Sequence, residues 1–348
     1  MKKERILLCG AFDFINMATG GQPVKSRQLY YVLSNLYGEQ CVSYIDTTTW
    51  KRNPLKAFFD FLYKAFRSNK IIMLPAHNGV EFFSFFLILV HFITRCSIYY
   101  DVIGGWLPEV VMVNKHLKIR LMKFDGIWVE TSSMKQNLEA QGFNNIFVLR
   151  NFKDLTPRDK SELQNIYHAP YNLCMFSRVM AEKGVEDAIM AIRRVNNAFQ
   201  KCVYKLDIYG PIDVSFVERF NELLSTNKEI VKYKGVVPPQ DSVKVLSPYF
   251  SLLFPTHFYT EGIPGTIIDS YCAGVPVISS KWINSGDVIE NGKTGILYEF
   301  DNFEELVGIL SNIVDNPSLI TALKDNCLEK SLSFTPSGVI DDLKKYLS

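Results

Sequence analysis

The residues best suited to hold a charged ligand lie in the second half of the chain. In CMFSRVMAEKGVED, residues 174–187, an apolar run leads into Ser177 and Arg178, then into Lys183 and Gly184 ahead of helical spacing that starts at Val185. Two cations beside a helix N-terminus suit a pyrophosphate, because unpaired backbone N–H groups and fixed positive charge both attract phosphate oxygens. The same residues also fit a strand-to-helix loop with solvated charges. A second stretch, residues 260–278 (TEGIPGTIIDSYCAGVPVI), sets Glu261 and Asp269 eight positions apart around a turn holding Gly262, Ile263, Pro264, Gly265 and Thr266. A turn ahead of a helix at 267–272 points amide donors outward, with one carboxylate before the helix and one in its first turns. One carboxylate can accept from sugar hydroxyls and the other from a ribose diol. Acids also gather at helix N-termini for dipole reasons alone, which is the competing account of this pair.

Such side chains need rigid elements to place them. Apolar runs at 5–9, 41–46, 70–75, 97–102, 126–130 and 146–149 read as short strands separated by amphipathic helical segments. Residues 131–133, Thr-Ser-Ser, are N-cap types and predict a helix over 134–141 that stops at Gly142. The rhythm breaks at a polar linker, about 152–168, and restarts with strands at 173–176, 204–209, 230–233, 250–254, 277–279 and 296–298. Helices are expected at 303–314, 319–332 and 339–347, separated by Pro317 and Pro336. Alternating strands and helices mean an α/β fold of two doubly wound, Rossmann-like units, which bind ligands at the carboxyl ends of their strands. The expected divisions are 1–155, 156–335 and a terminal helix, 336–348, returning to the first domain.

Composition narrows the partners. At 348 residues the chain exceeds one typical core, and its 38 Lys plus Arg against 36 Asp plus Glu leave a charge of +2, too even to attract nucleic acid over the whole surface. The seven cysteines are scattered singly with no CxxC pair, arguing against a disulfide framework or structural zinc and for a reducing compartment. The apolar stretch at 6–10 is too short for a signal-peptide core, so a cytoplasmic location is expected. The run at 82–93, FFSFFLILVHFI, is shorter than the roughly 20 residues of a membrane crossing and reads as a buried helix.

The combined pattern resembles family 4 of the glycosyltransferases, a retaining group with the GT-B fold. The resemblance rests on FSRVMAEKGVEDAIMAI (176–192), LDIYGP (206–211), the strand end at Lys234 to Val236, FPTHFYTEGIPGTIIDSYCAGVPVISS (254–280) and IENGKTGILYEF (289–300). It implies two Rossmann-like domains facing a central cleft, the first binding acceptor and the second the nucleotide sugar. It further implies transfer of a hexose, from a UDP-sugar in preference to a GDP-sugar, to a glycan or lipid-linked acceptor in surface-polysaccharide biosynthesis. By this resemblance Arg178 and Lys183 bind the donor diphosphate, Glu261 contacts the transferred sugar, and Asp269 stands where a Glu usually contacts the ribose. The amides of residues 262–266 complete the cradle, and Gly20 and Gly21 occupy the place of the family's glycine-rich first loop. Asp101 stands where many members carry a His, and His77 is the other candidate catalytic helper in the first domain. No cofactor or metal is expected. A non-catalytic nucleotide-sugar-binding subunit and a nucleotide-sugar epimerase of the same fold are the alternatives.

The window 51–70 holds six cations and one acid, with Leu55, Phe58, Phe59, Leu62 and Phe66 on one helical face, and residues 115–123 add a second basic stretch. These two segments fit either peripheral contact with an anionic bilayer or an ordinary core-facing helix with a solvated polar face.

Overall fold

The computed structural model of the chain describes residues 4–18, 20–50 and 53–348. Lys51 and Arg52 of the basic window therefore lie outside the described residues. The chain divides into two compact units: residues 1–154 with 262–264 and 334–348, and residues 155–261 with 265–333.

In the first unit the elements alternate as β1 (Ile6–Gly10), α1 (Gly21–Tyr37), β2 (Val42–Asp46), α2 (Pro54–Ala65), β3 (Lys70–Met73), α3 (His77–Thr94), β4 (Ser97–Asp101), α4 (Leu107–Val113), α5 (Lys115–Leu121), β5 (Gly126–Val129), α6 (Ser132–Ala140) and β6 (Ile146–Val148). Its sheet has the order β2-β1-β3-β4-β5-β6, with every neighbouring pair parallel. Strands with both faces covered must be apolar throughout, and the wholly buried ILLCG of β1 shows it. One face packs Leu7, Ile71 and Ile98 against Val80, Leu87 and Leu117, and the other packs Ile6, Leu8 and Ile72 against Leu29 and Leu33. The Thr131 hydroxyl accepts from the Met134 amide, capping α6 as its residue type predicts.

The second unit repeats the plan with β7 (Tyr171–Phe176), α7 (Val185–Ala198), β8 (Tyr204–Tyr209), α8 (Val217–Thr226), β9 (Val231–Gly235), α9 (Ser242–Leu246), β10 (Ser251–Phe254), α10 (Gly265–Cys272), β11 (Val277–Ser280), α11 (Ser285–Val288), β12 (Gly295–Tyr298), α12 (Phe303–Asp315), α13 (Ser318–Thr321) and α14 (Lys324–Ser331). The sheet order is β12-β11-β10-β7-β8-β9, again parallel throughout. A final helix, α15 (Pro336–Tyr346), is grouped with the first unit. Val339, Leu343 and Leu347 join its core, and the Tyr346 hydroxyl donates to the Val148 carbonyl at 2.9 Å.

Two helices differ from expectation. The segment 319–332 is broken into α13 and α14 rather than continuous. Pro336 opens α15 instead of preceding it, because at the first helical position its missing N–H removes no helix bond. The run 82–93 lies within α3 but is only half buried: Phe83, Leu87 and Val90 face the core, whereas Phe85 and Phe92 are exposed. Among the described residues no single helix is long and apolar enough to cross a membrane.

Candidate functional site

A parallel sheet opens a crevice where the strand order reverses, since successive crossovers there depart to opposite sides. In the second unit that point lies between β7 and β10. The loops leaving these two strands carry the residues singled out above. After β7 come Arg178, which is exposed, and Lys183, which is half buried. After β10 comes Glu261, and Lys183 Nζ donates to its Oε1 in an ion pair whose side chains are each 16% exposed.

The pair is braced from several directions. Thr256 Oγ1 donates to Glu261 Oε1 at 3.2 Å, and the Asn284 side-chain amide donates to the Glu261 carbonyl at 2.7 Å. Lys183 Nζ lies 4.8 Å from the ring centre of Phe258 and 5.4 Å from that of Phe254, an additional attraction for a cation. The His257 amide donates to the Glu182 carbonyl at 2.8 Å, so backbone as well as side chains ties the two loops together. Gly184 makes the approach feasible: its φ is +68°, and a Cβ there would fall 1.8 Å from the Pro255 carbonyl oxygen.

Gly184 caps α7, whose first turn carries Glu186 and Asp187. These acids are countered by Arg219, which donates to Glu186, and by His257, 3.3 Å from Asp187 and 2.5 Å from Asp301. Burial raises the Asp187 pKa, and His257 opposes that shift. At the start of α10 the Thr266 hydroxyl is buried with no hydrogen-bond partner. Asp269, the expected ribose contact, lies on α10. It is 2% exposed, and its Oδ1 accepts from Ser242 Oγ at 2.9 Å, so its carboxylate joins α10 to α9.

In the first unit the order reverses between β1 and β3. Gly20 is the N-cap of α1 and Gly21 its first residue, with no side-chain cap and no acid in the first turn. The loop before them is anchored by Asp46, which accepts from the Phe12 and Asp13 amides, and by Arg27, which donates to the Phe12 and Ala18 carbonyls. His77 is exposed at the start of α3, its ring 5.1 Å from that of Trp106.

Asp101 is wholly buried at the end of β4 and does not present its carboxylate to solvent. Lys25 Nζ sits 2.9 Å from it and 2.9 Å from Glu130 Oε1, and also donates to the Val102 carbonyl. The other Glu130 oxygen accepts from the Ile263 amide at 2.7 Å, and the Asn151 side chain donates to the Ile263 carbonyl. Gly262 has to be glycine here, because a Cβ would meet Glu130 Oε2 at 2.0 Å. Ile263 is buried in this arrangement, with Pro264 following it. Lys25 and Glu130 were not singled out from sequence; the available signal was an acid at the end of a strand, where doubly wound folds place their ligands.

One cation and two carboxylates leave surplus negative charge. Burial pushes the Asp101 pKa up to about 6, against the pull of Lys25 and with the help of Glu130. The Lys25 pKa is lowered by burial, but Asp101 and Glu130 outweigh that and raise it overall. Among the described residues no group of three or more His, Cys, Asp or Glu is placed to hold a metal ion.

Two stability measurements follow from these contacts. Asp101 keeps its proton in the folded chain up to about pH 6, whereas its ordinary value is 3.8. The folded state therefore binds more protons between those values, and stability falls as pH rises through that window. Asp101→Asn leaves Lys25 and Glu130 as a matched pair, so denaturation midpoints at pH 4 and pH 7 will show wild type losing stability relative to the variant. Gly184→Ala, which drives a Cβ into backbone, will cost upwards of about 1 kcal/mol. Gly21→Ala, with nothing within 4 Å of its Cβ, will stay within about 0.5 kcal/mol on the same midpoint scale.

Residues 170–316 match the family model described as glycosyl transferases group 1. A capsular polysaccharide biosynthesis glycosyltransferase of Staphylococcus aureus is 24% identical over 174 residues, 48% of this chain and 44% of that one. The matched region spans less than half the length of that relative. Among solved structures, the Anabaena protein HepE in complex with UDP superposes with a TM-score of 0.73 at 13% identity, covering 99% of both chains. Sucrose-phosphate synthase of Thermosynechococcus elongatus gives 0.74 at 15% identity, covering 98% of both. The second unit thus carries a group 1 glycosyltransferase domain, in a chain with the GT-B fold.

Proposed function

We propose that the protein is a retaining, metal-independent hexosyltransferase that moves a sugar from a UDP-sugar to a glycan or lipid-linked acceptor in surface-polysaccharide assembly. The observation that carries this reading is the Lys183–Glu261 pair at the reversal point of the second sheet, with exposed Arg178 on the same strand-to-helix loop as Lys183. The UDP bound to the fold relative HepE supports the donor class. The capsular relative supports the polysaccharide setting.

In this reading the donor's paired phosphates meet Arg178 and Lys183. Negative charge grows on the departing nucleoside diphosphate as the glycosidic bond breaks, and cations already held in place stabilise it without reorganising. Glu261 keeps Lys183 in position before the donor arrives and accepts from a hydroxyl of the bound sugar. The Thr266 hydroxyl and the amides at the start of α10 supply further donors. Asp269 serves the site by fixing α10 through Ser242. The acceptor proton passes to the donor's own phosphate on the face from which the diphosphate leaves, so retention needs no strong protein base.

Incubation with a panel of radiolabelled nucleotide sugars tests the reading. Wild type is expected to hydrolyse or transfer from a UDP-sugar, and Arg178→Ala and Lys183→Ala are each expected to lose about 10²-fold or more with circular dichroism unchanged. Wild-type turnover in both variants would refute the diphosphate assignment. Tight UDP binding with neither hydrolysis nor transfer would make the protein a binding subunit instead.

A further inference from the structure

Two neighbouring helices of the first unit are apolar on more sides than the core can cover. On α2, Phe61 and Ala65 are buried, while Leu55, Phe59, Tyr63 and Phe66 are 49–73% exposed at spacings of four, four and three. On α3, the residues Phe82, Phe85, Leu89 and Phe92 form a second stripe, 47–71% exposed. The Phe58 and Phe86 rings, 5.4 Å apart, join the two helices. Single exposed apolar residues are ordinary, but two adjoining stripes of large rings mark a surface that meets something.

The charges bordering the stripes identify what it meets. Lys56, Arg67 and Arg95 are exposed on or just beyond these helices, and Lys115 and Lys123 on and just beyond α5. The Arg67 guanidinium lies 5.2 Å from the Tyr63 ring centre and that of Arg95 lies 5.9 Å from Phe92, so both cations sit at the edge of the aromatic surface. Nearby acids are engaged: Asp60 pairs with Lys64 at 2.9 Å, and Glu81 accepts from the Asn114 amide. A second copy of the chain would bring this positive rim against itself, which like-charge repulsion opposes. An anionic bilayer offers phosphates to the rim and hydrocarbon to the rings, and long basic side chains reach headgroups while their stems stay in apolar surroundings. We infer that α2 and α3 seat the first unit on the surface of an anionic membrane, with the exposed rings in the boundary between headgroups and acyl chains.

Co-sedimentation of the full chain with phosphatidylcholine vesicles, with and without phosphatidylglycerol, tests this. Binding is expected to need phosphatidylglycerol and to weaken as salt rises. The triple variant Phe59→Ser, Phe85→Ser, Phe92→Ser is expected to lose about tenfold or more in vesicle affinity. Its thermal midpoint should be unchanged, because all three rings face solvent. Lys56→Glu with Arg95→Glu should weaken binding by roughly tenfold at low salt while the rings remain. Failure of wild type to sediment with anionic vesicles, or equal sedimentation of the triple variant, would overturn the inference. So would concentration-dependent dimerisation that the triple variant abolishes.

Discussion

The ion pair between Lys183 and Glu261 is the contact through which the second unit becomes a site. Its two residues lie 78 positions apart and reach each other because β7 and β10 are neighbours in a parallel sheet, so the loops leaving both strands emerge at the same edge. Neither loop could hold a cation in place alone. Glycine at 184 lets the backbone of one loop pass against Pro255 of the other, and the His257 amide closes the junction. A pair at 16% exposure keeps much of its attraction while part of each side chain still reaches solvent.

The first unit handles charge in the opposite way. Lys25, Asp101 and Glu130 are at most 2% exposed and pair with one another inside the fold. Breaking such a group leaves an uncompensated buried charge, commonly a loss of about 3–5 kcal/mol. What the arrangement supplies is position: Glu130 spends one oxygen on Lys25 and the other on the Ile263 amide, which fixes the loop that follows Glu261. An acid just after β5 therefore acts through the backbone it helps to place.

The strands were legible from two patterns: a strand covered on both faces is apolar throughout, as at 6–10, whereas 204–209 alternates apolar with polar residues. Lys183 and Glu261 stood out in the sequence because each precedes a glycine in the stretch between a strand and the helix that follows it. The buried triad was not legible, since Lys25 is 76 residues from Asp101 and 105 from Glu130 and nothing local marks their meeting. The spacing of Asp269 from Glu261 was legible, but its bond to Ser242, 27 residues away, was not. The break between α13 and α14 fell inside a run whose apolar spacing is helical on both sides.

Helical spacing also could not decide which way α2 and α3 face. A helical projection separates apolar from polar positions, but on α2 the residues grouped as one apolar face divide in the fold: Phe58 and Leu62 lie half buried, whereas Leu55, Phe59 and Phe66 reach solvent. The core takes Phe61 and Ala65 instead, an angular shift that only packing against the sheet can set. The same holds for α3, where aromatic residues surround the axis and the buried stripe of Phe83, Leu87 and Val90 is chosen by the neighbouring elements. A core that needed all of these side chains would have covered them. It covers one stripe and leaves the other beside arginines and lysines, so that stripe adds little to the fold's stability and lies open to contact outside it.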